Sequence, residues 1–317
     1  MKTDVMGRPN SENVMNRACK VEFVRTKPRR GTNKVRTIGP EGDGRHDRAR
    51  QQRIQMTHLI VGDIHGCGRE FRSFMEKVSA RSEYDDARIV LVGDLFSKGP
   101  TPELVTKEIL TQRRNGRGID LICGNHELRL LGAVGRIHGG VSLDAIGKHE
   151  RNTIKRLDKG GVLAKTIPLL LEATRRVQHR ILLPEGPATV VHAGIEPTLG
   201  LDGTPDHLKT HIKSAPGEIN WWERYDGRDG LVIFGHKPVP EPVIVRDDEG
   251  RPIAVNIDTG CIYGGHLSGY HVESGTLLQV RSEQPIDVKK LAFALSPTLA
   301  PIGRRSASDA PARMPAG

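Results

Sequence analysis

Six side chains able to bind a cation recur at the ends of short apolar runs: Asp63, His65, Asp94, Asn125, His192 and His236. In Gly62-Asp63-Ile64-His65-Gly66 the acid and the imidazole are two residues apart. Extended backbone projects both to one side, where they can share one cation. Gly93-Asp94 ends a second run, and a carboxylate set between two cations can bridge them with its two oxygens. Gly124-Asn125-His126-Glu127 follows a third run, where the adjacent Asn125 and His126 point differently, so one can bind a cation while the other faces a substrate. Later runs add His192 in Val191-His192-Ala193-Gly194 and His236 in Phe234-Gly235-His236-Lys237-Pro238. Imidazole, carboxylate and amide oxygen together suit manganese, iron or zinc better than an all-oxygen magnesium or calcium site. The expectation is two divalent ions, manganese first.

Positioning these groups requires buried strands that deliver loops to a sheet edge. Apolar runs at His58–Val61, Ala87–Val92, Ile119–Cys123, Ala188–Val191, Leu231–Phe234 and Ala254–Ile257 fit that role, each followed by Gly, Asp, Asn or His. Amphipathic stretches at Arg69–Val78 and Pro102–Arg113 read as helices, with Thr101 as the N-cap above Pro102. Asp63, Asp94 and Asn125 are thirty-one residues apart, matching the roughly 30-residue strand, helix, strand unit. Residues 141–182 are helical in composition and read as a lid or side subdomain, while Leu267–Val280 alternates around Glu273-Ser274-Gly275 as a hairpin. Taken singly, a Gly-Asp is usually a turn and a lone histidine a satisfied core or surface residue. All five motifs in order on strand ends arise by chance in about a per cent of cases or fewer.

The net charge of +10 is uneven: residues 1–56 hold fourteen Lys and Arg against six Asp and Glu, leaving a nearly neutral body. That segment has no sustained period and reads as a disordered basic extension, either a solvated tail or a contact for nucleic acid. Residues 57–283 read as the catalytic domain and 284–317 as a C-terminal segment ending in an Ala/Pro-rich tail. No run is long and apolar enough for a membrane span, and no secretory pattern opens the chain, so a cytoplasmic location and no membrane partner are expected. Cys19, Cys67, Cys123 and Cys261 form no CxxC pair and read as reduced thiols, with Cys67 either redox-sensitive beside the metal loop or simply packed.

At these residues the sequence resembles the PPP-type metallophosphoesterases, the calcineurin-like group of Ser/Thr protein phosphatases and symmetrical bis(5'-nucleosyl)-tetraphosphatases. The resemblance covers about residues 57–282. It implies an α/β (α+β four-layer) fold, two sheets flanked by helices. It also implies a first cation on Asp63, His65 and Asp94, a second on Asp94, Asn125, His192 and His236, and His126 as the catalytic histidine. Where Ser/Thr phosphatases read GDxVDRG, this chain has Gly93-Asp94-Leu95-Phe96-Ser97-Lys98-Gly99. Ser97 replaces the acid that orients the histidine, and Lys98 replaces the arginine that clamps phosphate, keeping charge but losing the bidentate fork. Those changes resemble the tetraphosphatase branch, whereas Glu127 is the protein-phosphatase form. Asn256-Ile257-Asp258-Thr259-Gly260-Cys261 resembles bacterial PPP phosphatases, with Asp258 either supporting the site or capping a turn. Arg224, after Trp221-Trp222, either reaches phosphate or lies on an amphipathic surface or lid. The implied substrates are dinucleoside polyphosphate, capped RNA, polyphosphate or phosphoprotein.

Overall fold

In the computed structural model, residues 56–212 and 218–292 are described, so the basic extension before Met56, with Cys19, and the tail beyond 292 lie outside the described residues. The chain starts with β1 (His58–Val61), α1 (Gly68–Ser79), β2 (Arg88–Leu91), α2 (Pro102–Arg114), β3 (Ile119–Leu121) and α3 (Asn125–His138). It continues through α4 (Lys148–Lys159), α5 (Leu163–Ala173), β4 (Gln178–Leu183) and β5 (Gly186–Val191). Short helices α6 (Gly200–Gly203), α7 (Asp206–Thr210) and α8 (Trp221–Arg224) precede β6 (Leu231–Phe234), β7 (Val243–Arg246) and β8 (Pro252–Asn256). The hairpin β9 (His266–His271) and β10 (Thr276–Arg281) leads to α9 (Val288–Ala292).

Two five-stranded sheets result, ordered β10-β9-β1-β2-β3 and β4-β5-β6-β8-β7. β1, β2 and β3 run parallel, as do β5, β6 and β8, while β9, β10, β4 and β7 pair antiparallel. The period of two along each strand builds the layers. Ile60 and Val90 pack between the sheets with Val190, Ile233 and Val255, whereas Leu59, Val61, Ile89 and Leu91 turn outward. There they meet Phe71, Phe74, Met75 and Val78, which recur on α1 at i, i+3, i+4 and i+7. The far side of the second sheet is closed by Trp221, Trp222 and Tyr225 against Val232 and Phe234, with Trp221 centred 4.5 Å from the Phe234 ring. Truncating one such buried tryptophan to alanine costs about 3–5 kcal/mol.

The four-layer α/β architecture expected from the resemblance is therefore present. Three local expectations change. The segment 141–182 does not stay helical: α4 and α5 end before the edge strand β4, which starts at Gln178. Thr101 is the N-cap residue of α2 but makes no side-chain cap bond. Its hydroxyl instead accepts from Gly68 N at 3.0 Å and donates to Gly66 O at 3.3 Å, fastening α2 to the loop after β1. Asn125 opens a 14-residue helix, α3, which the sequence reading passed over as loop.

Candidate metal centre

The predicted ligands come from the carboxyl ends of five strands, and parallel pairing brings those ends to one side of the molecule. Asp63 and His65 follow β1, Asp94 follows β2, Asn125 opens α3 after β3, and His192 and His236 follow β5 and β6. His65, Asp94, Lys98 and His236 all have positive φ, at 49°, 51°, 72° and 71°. Such backbone is strained for non-glycine residues and persists where surrounding contacts fix it. Close approach also fixes two glycines: a Cβ on Gly235 would collide with Asp63 Oδ1, and one on Gly124 with Asp94 Oδ1.

The side chains converge on two adjoining centres. His65 Nε2 lies 3.4 Å from Asp94 Oδ2 and 3.9 Å from Asp63 Oδ2. His192 Nε2 lies 3.4 Å from Asp94 Oδ1, 3.2 Å from Asn125 Oδ1 and 3.2 Å from His236 Nδ1. Asp94 thus turns one oxygen toward each centre. Val92 O, 2.9 Å from His192 Nδ1, accepts a hydrogen bond from that N–H, which leaves the Nε2 lone pair facing the other candidate ligand atoms. Asp63 is held from behind by His236 N at 3.2 Å and 3.3 Å from its two oxygens.

The electrostatics match a cation cage. Burial, with the charges of Asp258 and Asp94, pushes Asp63 well above the usual carboxylate range. Burial likewise raises Asp94 to about 6 and Asp258 to about 7, with Asp94's charge adding to the rise at Asp258. Burial lowers His192 to about 3 and, helped by Lys98, drives His65 well down. Neutral imidazoles beside crowded, desolvated acids are the protonation pattern a divalent ion converts into ligands. The residues present therefore fit a pair of divalent ions of the borderline kind.

His126 stands at the edge of this cage. Its Nε2 is 4.0 Å from Asp94 Oδ2, its ring lies edge-on to His65 with centroids 5.1 Å apart, and its backbone N–H donates to Asp94 Oδ1 at 3.0 Å. Burial and then Lys98 hold its pKa down at about 2, so the ring is neutral. His126 Nδ1 and the buried Ser97 Oγ both lack a hydrogen-bond partner. Lys98 Nζ reaches His65 Nε2 at 3.1 Å and lies 5.9 Å from the centre of the Tyr263 ring.

Glu127 has a clear structural task. Its carboxylate accepts from Asp94 N at 2.6 Å, Leu95 N at 2.8 Å and Gly124 N at 3.1 Å, locking the Asp94 loop onto the start of α3. Asp258 Oδ1 caps a turn by accepting from Gly260 N at 3.0 Å, and its charge contributes to the rise at Asp63. Arg224 is exposed, while its neighbours Trp221 and Trp222 are buried. Sequence reasoning missed His211, whose half-buried ring meets His236 edge-on with centroids 5.1 Å apart. No pattern around His211 marks it, because Ala193 N, bonded to Lys209 O at 2.7 Å, brings that segment alongside only in three dimensions.

Residues 56–270 match the calcineurin-like phosphoesterase family. An asymmetrical bis(5'-nucleosyl)-tetraphosphatase, PrpE, of Geobacillus thermodenitrificans is 30% identical over 252 residues, spanning 71% of this chain and 94% of that protein. The protein of the same name from Bacillus velezensis is 26% identical over 258 residues, spanning 74% and 96%. A solved structure provisionally described as a diadenosine tetraphosphatase superposes with a TM-score of 0.51 at 23% identity, covering 73% of this chain and 95% of that one, a likeness of fold. These relatives are named asymmetrical, whereas the sequence resemblance was to the symmetrical enzymes. The family match across most of the chain, on a fold that gathers its acids and imidazoles at the strand ends, makes this protein a member of the calcineurin-like phosphoesterases, metal-dependent hydrolases of phosphoric esters.

Proposed function

We propose that this protein hydrolyses the phosphoanhydride chain of dinucleoside polyphosphates asymmetrically, with two manganese ions held by Asp63, His65, Asp94, Asn125, His192 and His236. The observation that carries the hydrolytic part is the division of Asp94, with Oδ2 on the His65 side and Oδ1 on the His192 side. When bound, such an ion pair supplies an activated water and charge stabilisation for in-line attack at phosphorus. The protein's share is placement. Val92 fixes the His192 tautomer, and Glu127 holds the Asp94 loop against Asn125. His126, neutral in its pocket, offers a hydrogen bond toward the leaving oxygen, and Lys98 brings a positive charge to the rim.

The choice of substrate is supported by the relatives' names and by Ser97 and Lys98, which depart from the protein-phosphatase loop. Glu127, which pulled toward protein substrates, has a structural task in its three backbone bonds that either substrate class would allow. Purified protein with manganese should convert diadenosine tetraphosphate to a nucleoside monophosphate and a triphosphate, and Asp94→Asn should not. Two diphosphates as products would make the cleavage symmetrical. Faster turnover of phosphopeptides would favour a protein phosphatase. Inactivity on both and on p-nitrophenyl phosphate, with manganese, iron, zinc or magnesium, would remove the hydrolase reading.

A further inference from the structure

A second group of ligand-type side chains lies outside the cage. Cys67 follows the Asp63 loop, Glu70 sits in the first turn of α1, and Cys261 opens the 3-10 turn after Asp258. Their exposures are 0%, 2% and 1%, and one potential ligand atom from each lies within 4.8 Å of the others. Glu70 Oε1 is fully engaged, accepting from Gln284 Nε2 at 2.8 Å, Glu283 N at 3.2 Å and Ser282 Oγ at 3.3 Å. Glu70 Oε2 is equally buried and has no hydrogen-bond partner.

We propose that Cys67, Cys261 and Glu70 form a structural site for one thiophilic divalent cation, zinc by preference, separate from the catalytic pair. A bare carboxylate oxygen in a dry interior costs about 1–3 kcal/mol or more unless something positive meets it. A Glu70 carboxylate oxygen and the two sulfurs lie within 4.8 Å of one another, so a cation set among them can meet the unpartnered carboxylate and take both sulfurs as thiolates. A disulfide between the cysteines would leave Oε2 as bare as before. With zinc bonds of about 2.0–2.3 Å, ligand atoms around a tetrahedral ion stand roughly 3.5–3.8 Å apart, so closing this site asks for about an ångström of movement. Ser282 Oγ, already bonded to Glu70, is the fourth ligand at hand. Sulfur ligands select zinc here, while the nitrogen and oxygen cage selects borderline ions. The site would brace the loops carrying Asp63 and Asp258 against α1 and the end of β10.

The test uses the full chain produced under reducing conditions in cobalt-supplemented medium, because cobalt reports thiolate ligation through a sulfur-to-metal charge-transfer band that a nitrogen and oxygen cage cannot give. Wild type and the cage variant Asp94→Asn should both show the band and retain about one equivalent of metal after chelation strips the cage. Cys123→Ser should keep it, and Cys67→Ser and Cys261→Ser should each lose it. Where a serine variant fails to fold, Glu70→Gln provides the reading, with retention of zinc against chelator falling about 10- to 100-fold. Absence of the band in reduced wild type, its survival in the double cysteine variant, unchanged retention in Glu70→Gln, or a Cys67–Cys261 disulfide in the freshly isolated protein would each overturn the proposal.

Discussion

Removing the Glu127 carboxylate tests the claim that the cage is built by backbone contacts across loops. Its Oε2 accepts from Asp94 N and Gly124 N, and Oε1 from Leu95 N, all buried. In Glu127→Gln the amide oxygen can replace Oε2 and keep two of the bonds, but the new N–H₂ then faces the Leu95 N–H. Above about pH 8, where the buried carboxyl is ionised, one charge-assisted bond is lost and a buried donor is orphaned, about 2–3 kcal/mol in all. Glu127→Ala strands three donors and opens a cavity, so about 3–5 kcal/mol is expected, the usual size for breaking a buried network. Because the bonds hold the backbone of Asp94, the loss should also reach the cage. Releasing a group that orients a ligand weakens cation binding about 10- to 100-fold, or roughly 1.4–2.8 kcal/mol. Urea unfolding with and without manganese measures both effects: the metal-free midpoint falls, and the gain on adding metal shrinks. A Glu127→Gln protein within about 0.5 kcal/mol of wild type and equally responsive to manganese would refute the reasoning.

Other expectations follow from the same geometry. His126→Ala should keep its bound metal, measured by elemental analysis, while turnover falls about 10²- to 10⁴-fold; unchanged turnover would remove His126 from the chemistry. Burial holds Asp94 at about 6, Asp258 at about 7 and, with the Asp94 charge, Glu127 at about 8. Cations favour the ionised forms, so loading expels protons, and apparent metal affinity should climb from about pH 6 through pH 8. Metal titrations showing no pH dependence across that window would contradict it. Burial pushes Asp120 up, but hydrogen bonds from Arg88 and Arg176 outweigh that and hold it at about 2, below its ordinary 3.8. Its stabilising contribution is therefore complete above that ordinary value and lost as pH falls toward 2, so Asp120→Asn should flatten the acid limb of the stability curve, read from urea midpoints.

The candidate ligands could be picked out of the sequence because their signals are local. Each candidate ligand sits within a few residues of an apolar run, so the run and the ligand type can be read together in one short window. Which face of each run meets the other sheet was not legible, because successive positions such as Leu59, Ile60 and Val61 are all apolar, and it is the fold that puts Ile60, Val90 and Ile233 between the sheets. Edge strands were harder: β4 is partly exposed along Gln178–Leu183, and β7 is four residues long and partly exposed throughout. Its hydrophobic signal is correspondingly weak. α3 was hidden by its own function, since Asn125, His126 and Glu127 drew the reading toward chemistry while Leu130 and Ala133 marked the buried face of a helix.

What shapes the cage was not legible at all, because it depends on long-range contacts. Nothing near Glu127 announces that it will meet the amides of Asp94 and Leu95 more than thirty residues earlier. His65, Asp94, Lys98 and His236 occupy left-handed backbone without being glycine, so composition gives no sign of it. Strain of this kind costs on the order of 1–3 kcal/mol per residue and must be offset by the contacts that impose it. The bonds from His236 N to Asp63 and from Lys98 Nζ to His65 are candidates for that offset, and each joins two of the five motifs. The strain and the ligand set are therefore one system. A glycine at position 65 or 236 would relieve the backbone yet remove the ligand, whereas Lys98→Gly would relieve the backbone and leave the six predicted ligands in place. Lys98→Gly is thus the substitution that separates the two roles of the Asp94 loop: stability should hold or rise while turnover falls, and an equal loss of both would mean that Lys98 only braces the loop.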